Sequence, residues 1–217
     1  MQATAVIPVK RFGAAKQRLA AALGPGPREA LVAAMLEDVL GAVARSRAVE
    51  RTIVVTGEPA GAQAARTHGA ELIADPGDAG HSPAAASGVA RAIELGATAA
   101  ALLPGDCPLL DPHELDGALG RTAAGRVAVV PDRHGTGTNA LLLAPPDAIE
   151  PAFGEGSRAR HERLARRSGH RVAVESLASL ALDIDTPDDL AALREVLGDA
   201  GDRAPRTAAA LRQRVGG

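Results

Sequence analysis

Short runs that are apolar at nearly every position alternate along this chain with longer amphipathic ones, and that alternation narrows the possible folds most. Residues 4–9, 52–56, 71–74, 98–103, 127–130, 140–143 and 171–175 read as strands, several of them without a polar side. Residues 27–45 read as a helix, because Pro27 suits a first helical position and Leu31, Met35, Val39 and Val43 recur four apart. Further helices are expected up to His68, over 83–95, after Asp111-Pro112-His113-Glu114, over 157–167 and after Thr186-Pro187. In the third of these Asp111 reads as N-cap and Glu114 as the acid of a capping box, and in the fourth Ser157 reads as N-cap. Strands buried on both faces need helices on both faces, so the fold class is α/β with a mostly parallel central sheet. Such sheets bind ligands beyond the carboxyl ends of their strands. Functional residues are therefore expected just after Val9, Leu103, Val130 and Leu182.

The chain has 217 residues, and at roughly 150 per domain that reads as one domain over 1–198. The Arg-, Ala- and Gly-rich stretch 199–217 reads as a frayed helix or a loosely ordered tail. Aromatic residues make up 1%, Phe12 and Phe153, which argues against stacking on single-stranded nucleic acid. The 24 basic and 26 acidic residues leave a formal charge of −2, with no basic excess for nucleic acid and no polybasic block for a membrane surface. A single cysteine, Cys107, excludes an internal disulfide framework. No apolar run approaches the roughly 18 residues of a membrane span, and no signal-peptide pattern precedes the first strand, so a cytoplasmic protein is expected.

Several constellations can carry chemistry. Val9-Lys10-Arg11-Phe12-Gly13-Ala14-Ala15-Lys16-Gln17-Arg18-Leu19 places four cations at a strand's carboxyl end. Such a loop either surrounds a polyphosphate or is a solvated basic turn. It lacks the Gly-x-x-x-x-Gly-Lys-Ser/Thr pattern of a phosphate-loop ATPase. In Leu103-Pro104-Gly105-Asp106-Cys107-Pro108 a stiff backbone mounts Asp106 either as a metal ligand or as the cap of a nearby amide. Asp183 and Asp185 are two apart in an extended segment and can face one way. Two like charges so placed repel unless a cation lies between them, and a few hard oxygens completed by phosphate suit Mg²⁺. The alternative, one of them capping the next helix, is weakened because Thr186 already fills the cap position.

The segment Pro131-Asp132-Arg133-His134-Gly135-Thr136-Gly137-Thr138-Asn139-Ala140 offers hydroxyls and amides to a phosphate or carboxylate. It fits Gly-x-Gly-x-x-Ala formally, but Leu141-Leu142-Leu143 and Pro145-Pro146 follow where a dinucleotide fingerprint needs a helix. Phe153-Gly154-Glu155-Gly156-Ser157-Arg158 runs into a helix whose amide end favours an anion, with Arg158, Arg160 and Arg163 adding charge. Plain capping with a solvated basic face is the competing reading. The six histidines show no ligand spacing and read mostly as surface residues, and Cys107 reads as a small packed thiol.

Taken together, Ala5-Val6-Ile7-Pro8-Val9-Lys10 with Ala15-Lys16-Gln17-Arg18-Leu19, Gly105-Asp106-Cys107-Pro108, Gly135-Thr136-Gly137-Thr138-Asn139-Ala140-Leu141, Phe153-Gly154-x-x-Ser157-x-x-x-His161 and Asp183-Ile184-Asp185-Thr186-Pro187 resemble the phosphoenolpyruvate and 2-phospho-L-lactate guanylyltransferases of coenzyme F-420 biosynthesis. The resemblance runs in order from about Ala5 to Leu197. It implies a GT-A-like nucleotidyltransferase fold that joins GMP from GTP to a three-carbon phospho-acid and releases pyrophosphate. It further implies that Thr138, Gly154 and Ser157 bind the phospho-acid, that Lys10, Arg11, Lys16 and Arg18 bind the nucleotide, and that Asp106, Asp183 and Asp185 hold Mg²⁺. Asp106 and Lys16 are the residues expected to carry catalysis. A downstream transferase would accept the product. The chain departs from the family in one segment, where His81-Ser82-Pro83-Ala84-Ala85 stands in place of a Leu-Asn-x-Ala pattern. Phosphoenolpyruvate is the favoured acceptor, ahead of 2-phospho-L-lactate and 3-phosphoglycerate. The rival readings are a GTP sensor without catalysis and a nucleotidyltransferase for a sugar phosphate or the molybdenum cofactor.

Overall fold

The apolar runs assemble into a seven-stranded sheet in the order β3-β2-β1-β4-β6-β5-β7 in a computed structural model. The structure describes residues 2–14, 16–20, 22–75, 77–78, 80–122, 125–199 and 203–212, so that Ala15 of the basic loop lies outside the described residues. The strands are β1 (Ala3–Val9), β2 (Val49–Thr56), β3 (Glu71–Ala74), β4 (Ala99–Leu102), β5 (Arg126–Pro131), β6 (Thr138–Ala144) and β7 (Arg171–Val174). Only β6 runs antiparallel to its neighbours, β4 and β5, and the other pairings are parallel. The helices are α1 (Pro25–Arg45), α2 (Pro59–Thr67), α3 (His81–Glu94), α4 (Pro112–Thr122), α5 (Ser157–Arg167), α6 (Pro187–Asp199) and α7 (Pro205–Arg212).

Alternation along each strand divides the apolar side chains between two cores. Ala5 and Ile7 of β1, Ala101 of β4 and Leu142 of β6 face Leu31, Met35 and Val39 of α1, Leu115 and Leu119 of α4 and Leu190 and Leu193 of α6. Val6, Ala100, Leu102, Leu141 and Leu143 face the other way, against Ala85, Val89 and Ala92 of α3 and Ala165 of α5. The chain leaves β1 outward to β2 and β3, then returns to lay β4 on β1's other side. That reversal opens a crevice between the carboxyl ends of β1 and β4.

Two local expectations are corrected. Glu114 does not close a capping box on Asp111: Asp111 accepts from the His113 amide at 2.8 Å, while Glu114 accepts from the amide and hydroxyl of Ser179 at 3.0 and 2.8 Å. The longer-range partner wins because it satisfies two donors of the turn at 178–180. Ser157 is the first residue of α5, and the left-handed Gly156 precedes it as cap. In the stretch 199–217, residues 205–212 form α7. Ala204, Ala208 and Leu211 make a buried stripe at helical spacing, and Asp38 of α1 accepts from the amides of Arg206 and Thr207 at 3.2 and 2.7 Å. Residues 200–202 and 213–217 of that stretch lie outside the described residues.

The approach of α3 to the sheet depends on Gly88. A Cβ built there would stand 2.3 Å from Val6 Cγ1 and 3.2 Å from Val55 Cγ2. Gly88→Ala is therefore expected to lower unfolding free energy by about 1–3 kcal/mol in urea titrations. Gly120→Ala in α4, where nothing lies within 4 Å, is expected to leave it unchanged or raise it by up to about 1 kcal/mol.

Candidate active site

A cleft of about 300 Å³ occupies the crevice between β1 and β4. Pro8, Val9 and Lys10 line it from the end of β1, Lys16 from the basic loop, Pro104, Gly105 and Asp106 from the end of β4, and Asp185 from the segment before α6. Val32 and Leu36 of α1 and His81 at the start of α3 complete the wall. Of the four cations expected on the nucleotide, Lys10 and Lys16 line the cleft. Arg11 and Arg18 are exposed and are not among its lining residues.

Lys16 is the centre of the cleft. Its backbone is left-handed, with φ 56° and ψ 39°, a conformation that costs a non-glycine residue energy and needs support from its surroundings. The support is electrostatic: Nζ donates to Asp106 Oδ2 and, at 2.5 Å, to Asp185 Oδ1, and the lysine side chain is only 8% exposed. Burial works against the lysine charge, but Asp106 and Asp185 outweigh it and raise the pKa. Burial likewise opposes ionisation of Asp106, and the adjoining Lys16 ammonium reverses that and holds the carboxyl below its usual range. Asp183 receives no such help. Burial raises its pKa, and the charges of Asp106 and Asp185 raise it further, against a 3.3 Å hydrogen bond from Asn139 Nδ2.

The three expected metal carboxylates thus gather in one place, with Lys16 rather than a bare gap between two of them. Among the described residues no group of three or more His, Cys, Asp or Glu side chains is already drawn together as a metal shell. A divalent cation nevertheless suits the donors present: the one ammonium pairs with two of the three carboxylates, and Asp183 is left with its charge opposed by burial and by Asp106 and Asp185. Asp185 is itself held in place by Asp189, whose Oδ2 accepts from the amides of Asp185 and Thr186 at 3.0 and 2.7 Å. The Asp189 amide in turn donates to Thr186 Oγ1 at 3.2 Å, so Thr186 caps α6 as expected. Arg133 pairs with the other Asp189 oxygen at 2.7 Å, which ties the β5–β6 loop to the acidic segment.

A second group forms beside the cleft, where β6 begins and α5 begins. Ser157 and His161, one turn apart on α5, are buried, and His161 Nδ1 lies 3.0 Å from the hydroxyl of Thr138. Gly154 and Gly156 lead into that helix with φ of 111° and 65°, conformations open to glycine and costly to other residues. Thr138, Gly154 and Ser157 are therefore brought to one place. The ring of Phe153 meets His161 edge-on at 5.1 Å and His81 at 4.6 Å, joining this group to the cleft. Ser82 accepts from the Phe153 amide at 2.9 Å and fixes the same junction.

Some donors expected to be free are committed internally. The amides of Thr136 and Gly137 both donate to Asp132 at 3.0 Å, and Gly137 has no Cβ because one would stand 2.5 Å from Asp132 Oδ2. Arg158 donates to the Gly135 carbonyl at 3.1 Å, and Arg160 to those of Ala152 and Glu155 at 2.8 and 2.7 Å, so both brace loops. The loop at 131–140 opens β6, which excludes the dinucleotide fingerprint. His81 and His161 are not surface residues, whereas Cys107 is the packed thiol expected, fully buried with its pKa raised by burial. A signal for His161 was available: positions 157, 161 and 165 form one buried stripe along α5. Arg28, 6% exposed, was also missed. It anchors the basic loop by donating to the Gly13 carbonyl at 3.2 Å.

The family of guanylyl transferases designated CofC-like matches residues 3–203. The chain belongs to that family. It is 48% identical over 215 residues to a phosphoenolpyruvate guanylyltransferase of Conexibacter woesei, covering 98% of this chain and 96% of the relative. Among solved structures it resembles a candidate nucleotide-diphospho-sugar transferase from Desulfovibrio desulfuricans G20, with a TM-score of 0.77, 19% identity and coverage of 98% and 95%. It also resembles a nucleotidyl transferase from Methanothermobacter thermautotroptrophicus, with a TM-score of 0.65, 19% identity and coverage of 92% and 99%. The protein is a nucleotidyltransferase with a GT-A-like fold. Among the described residues no helix is long and apolar enough to cross a membrane.

Removing the bridging cation gives a direct test of the cleft's electrostatics. Lys16→Met leaves Asp106 and Asp185 facing each other without compensation. The loss is expected to be about 1–3 kcal/mol at pH 7, below that of a fully buried pair because Asp185 is about half-exposed. In the parent, the depressed pKa of Asp106 supplies stability that is present above the unfolded carboxyl value, about 3.9, and is lost as pH falls through the folded value. Without Lys16 the burial of Asp106 is unopposed and its carboxyl takes up a proton at higher pH, so the gap between parent and variant should narrow as the pH falls towards 4 and close below it as the parent loses its own contribution, read by thermal melts.

Proposed function

We propose that this enzyme transfers GMP from GTP to phosphoenolpyruvate, releasing pyrophosphate, as a cytoplasmic step of coenzyme F-420 biosynthesis. The observation that carries the reading is the junction at Phe153, where a cleft lined by Lys10, Lys16 and carboxylates adjoins the group formed by Thr138, Gly154 and Ser157. A reaction between two polyanions needs such a pair of sites, one for each partner. The choice of acceptor is supported by the phosphoenolpyruvate guanylyltransferase that shares almost half its residues with this chain.

The acceptor's own phosphate oxygen is the nucleophile. With a second pKa near 6, a phosphomonoester is largely dianionic at neutral pH and needs no general base. That oxygen forms a bond to the α-phosphorus of GTP, the bond to the bridging α–β oxygen breaks, and the electron pair leaves with pyrophosphate. The product is a mixed anhydride of GMP and the phospho-acid, which a downstream transferase would accept. Thr138, Gly154 and Ser157 hold the acceptor so that its phosphate approaches opposite the leaving group. Lys16 and Lys10 lie on the nucleotide side, where their ammonium groups offset charge on the β- and γ-phosphates, and Arg11 and Arg18 add positive potential from the rim. Asp106, Asp183 and Asp185 would hold a divalent cation, Mg²⁺ in this reading, which supplies charge neutralisation at the nucleotide phosphates.

The test is pyrophosphate release from GTP and Mg²⁺ with phosphoenolpyruvate, 2-phospho-L-lactate and 3-phosphoglycerate in turn, and with ATP replacing GTP as a control. Release with GTP and phosphoenolpyruvate is expected, with ATP near background. Release with a different acid alone would move the acceptor. Tight GTP binding with no release from any acid would replace the transferase reading by that of a nucleotide sensor.

A further inference from the structure

His161 is wholly buried, and both its ring nitrogens are engaged. Nε2 lies 2.9 Å from the backbone nitrogen of Ala152, and Nδ1 lies 3.0 Å from Thr138 Oγ1. A backbone amide can only donate, so Nε2 must be the ring's unprotonated acceptor. Burial, aided by the charge of Arg160, lowers the His161 pKa to about 4, so at neutral pH the ring carries one proton. That proton must sit on Nδ1, pointing at Thr138. The hydroxyl oxygen of Thr138 then accepts from the ring, and its own hydrogen is left to turn outward. Among the described residues Thr138 Oγ1 makes no other hydrogen bond. Phosphate and carboxylate oxygens accept and do not donate, so a threonine fixed in this state matches an anionic ligand.

We propose that His161 is a positioning residue which, as the Nδ1–H tautomer, holds Thr138 as a hydrogen-bond donor to the anionic oxygens of the phospho-acid. The assignment rests on the reading that Thr138 binds the acceptor, and it adds what sets the direction of that contact. The edge of Phe153 against the imidazole, at 5.1 Å and 75°, keeps the ring from turning over, and the Ala152 amide fixes the tautomer from the far side. Histidine thus acts here through the polarity of a hydrogen-bond chain and carries no proton to or from substrate.

Nitrogen-15 NMR of the imidazole-labelled, ligand-free protein at neutral pH tests the tautomer without any substrate. The Nδ1–H signature is expected for His161, and an Nε2–H tautomer or an imidazolium would overturn the proposal. Kinetics test the consequence. In His161→Asn the amide nitrogen takes the place of Nδ1 and can still donate to Thr138, whereas in His161→Gln the amide reaches the position of Nε2. His161→Gln is expected to raise KM for phosphoenolpyruvate roughly tenfold to a hundredfold, with kcat and KM for GTP within about twofold. His161→Asn should keep all three near the parent values. Equal losses in both variants, or a loss shared by GTP, would assign His161 a merely structural role. Thr138→Val separates the two layers of the argument. If it leaves KM for phosphoenolpyruvate unchanged, the acceptor assignment fails and the proposal with it, even where the tautomer is as expected.

Discussion

One ammonium group holds the cleft together. Lys16 joins carboxylates 90 and 169 residues further along the chain, and so ties the loop after β1 to the tip of β4 and to the segment before α6. The sheet brings the first two within reach, because β1 and β4 are parallel neighbours whose carboxyl ends open on the same side. The third is brought in by Asp189, which fixes the backbone at Asp185 and Thr186 while Arg133 fixes Asp189. The left-handed backbone of Lys16 is the local cost of this arrangement. A buried ion pair contributes little net stability in general, since desolvation offsets attraction. Its persistence at the mouth of a parallel sheet is better understood as pre-organisation of charge for a ligand that brings its own.

Beside the cleft stand Thr138, Gly154 and Ser157, and the first two amides of α5 are already committed: Ser157 donates to the Gly154 carbonyl at 3.0 Å and Arg158 to that of Thr136 at 3.2 Å. The arginines that the sequence places there face backbone carbonyls and brace loops. The ring of Phe153 stands in edge contact with both His81 and His161 and links this group to the cleft.

Much of this was legible in the sequence for a simple physical reason. Strands buried on both faces have no polar side, so residues such as 5–7 and 141–143 declare both a sheet and its coverage. The sheet's geometry then places Lys10, Lys16, Asp106 and Asp185 at one edge. What escaped were facts about partners. No pattern in Gly135-Thr136-Gly137-Thr138 tells that Asp132 takes two of its amides, nor does Asp111-Pro112-His113-Glu114 tell that Glu114 serves Ser179. The burial of His161 escaped because a ring bonded to one amide and one hydroxyl needs no ligand spacing. What anchors the helix at 205–212 is visible only through the neighbouring α1, because its arginines mask the Ala204, Ala208, Leu211 stripe.

In the function proposed above, the carboxylates of the cleft serve a cationic and nucleotide ligand at the expense of the ligand-free fold. Asp183 is where the two demands part, since its charge is opposed by burial and by Asp106 and Asp185. A carboxyl whose folded pKa is raised destabilises the protein above that value and has no effect below the unfolded one, about 3.9. Asp183→Asn keeps an oxygen for Asn139 and removes the charge. Melting temperature and transferase turnover measured on that one variant should move in opposite directions. A more stable protein is expected at pH 7, with the gain gone near pH 4, and turnover reduced by roughly a hundredfold or more. A variant that loses stability at neutral pH, or that turns over as fast as the parent, would contradict that reading.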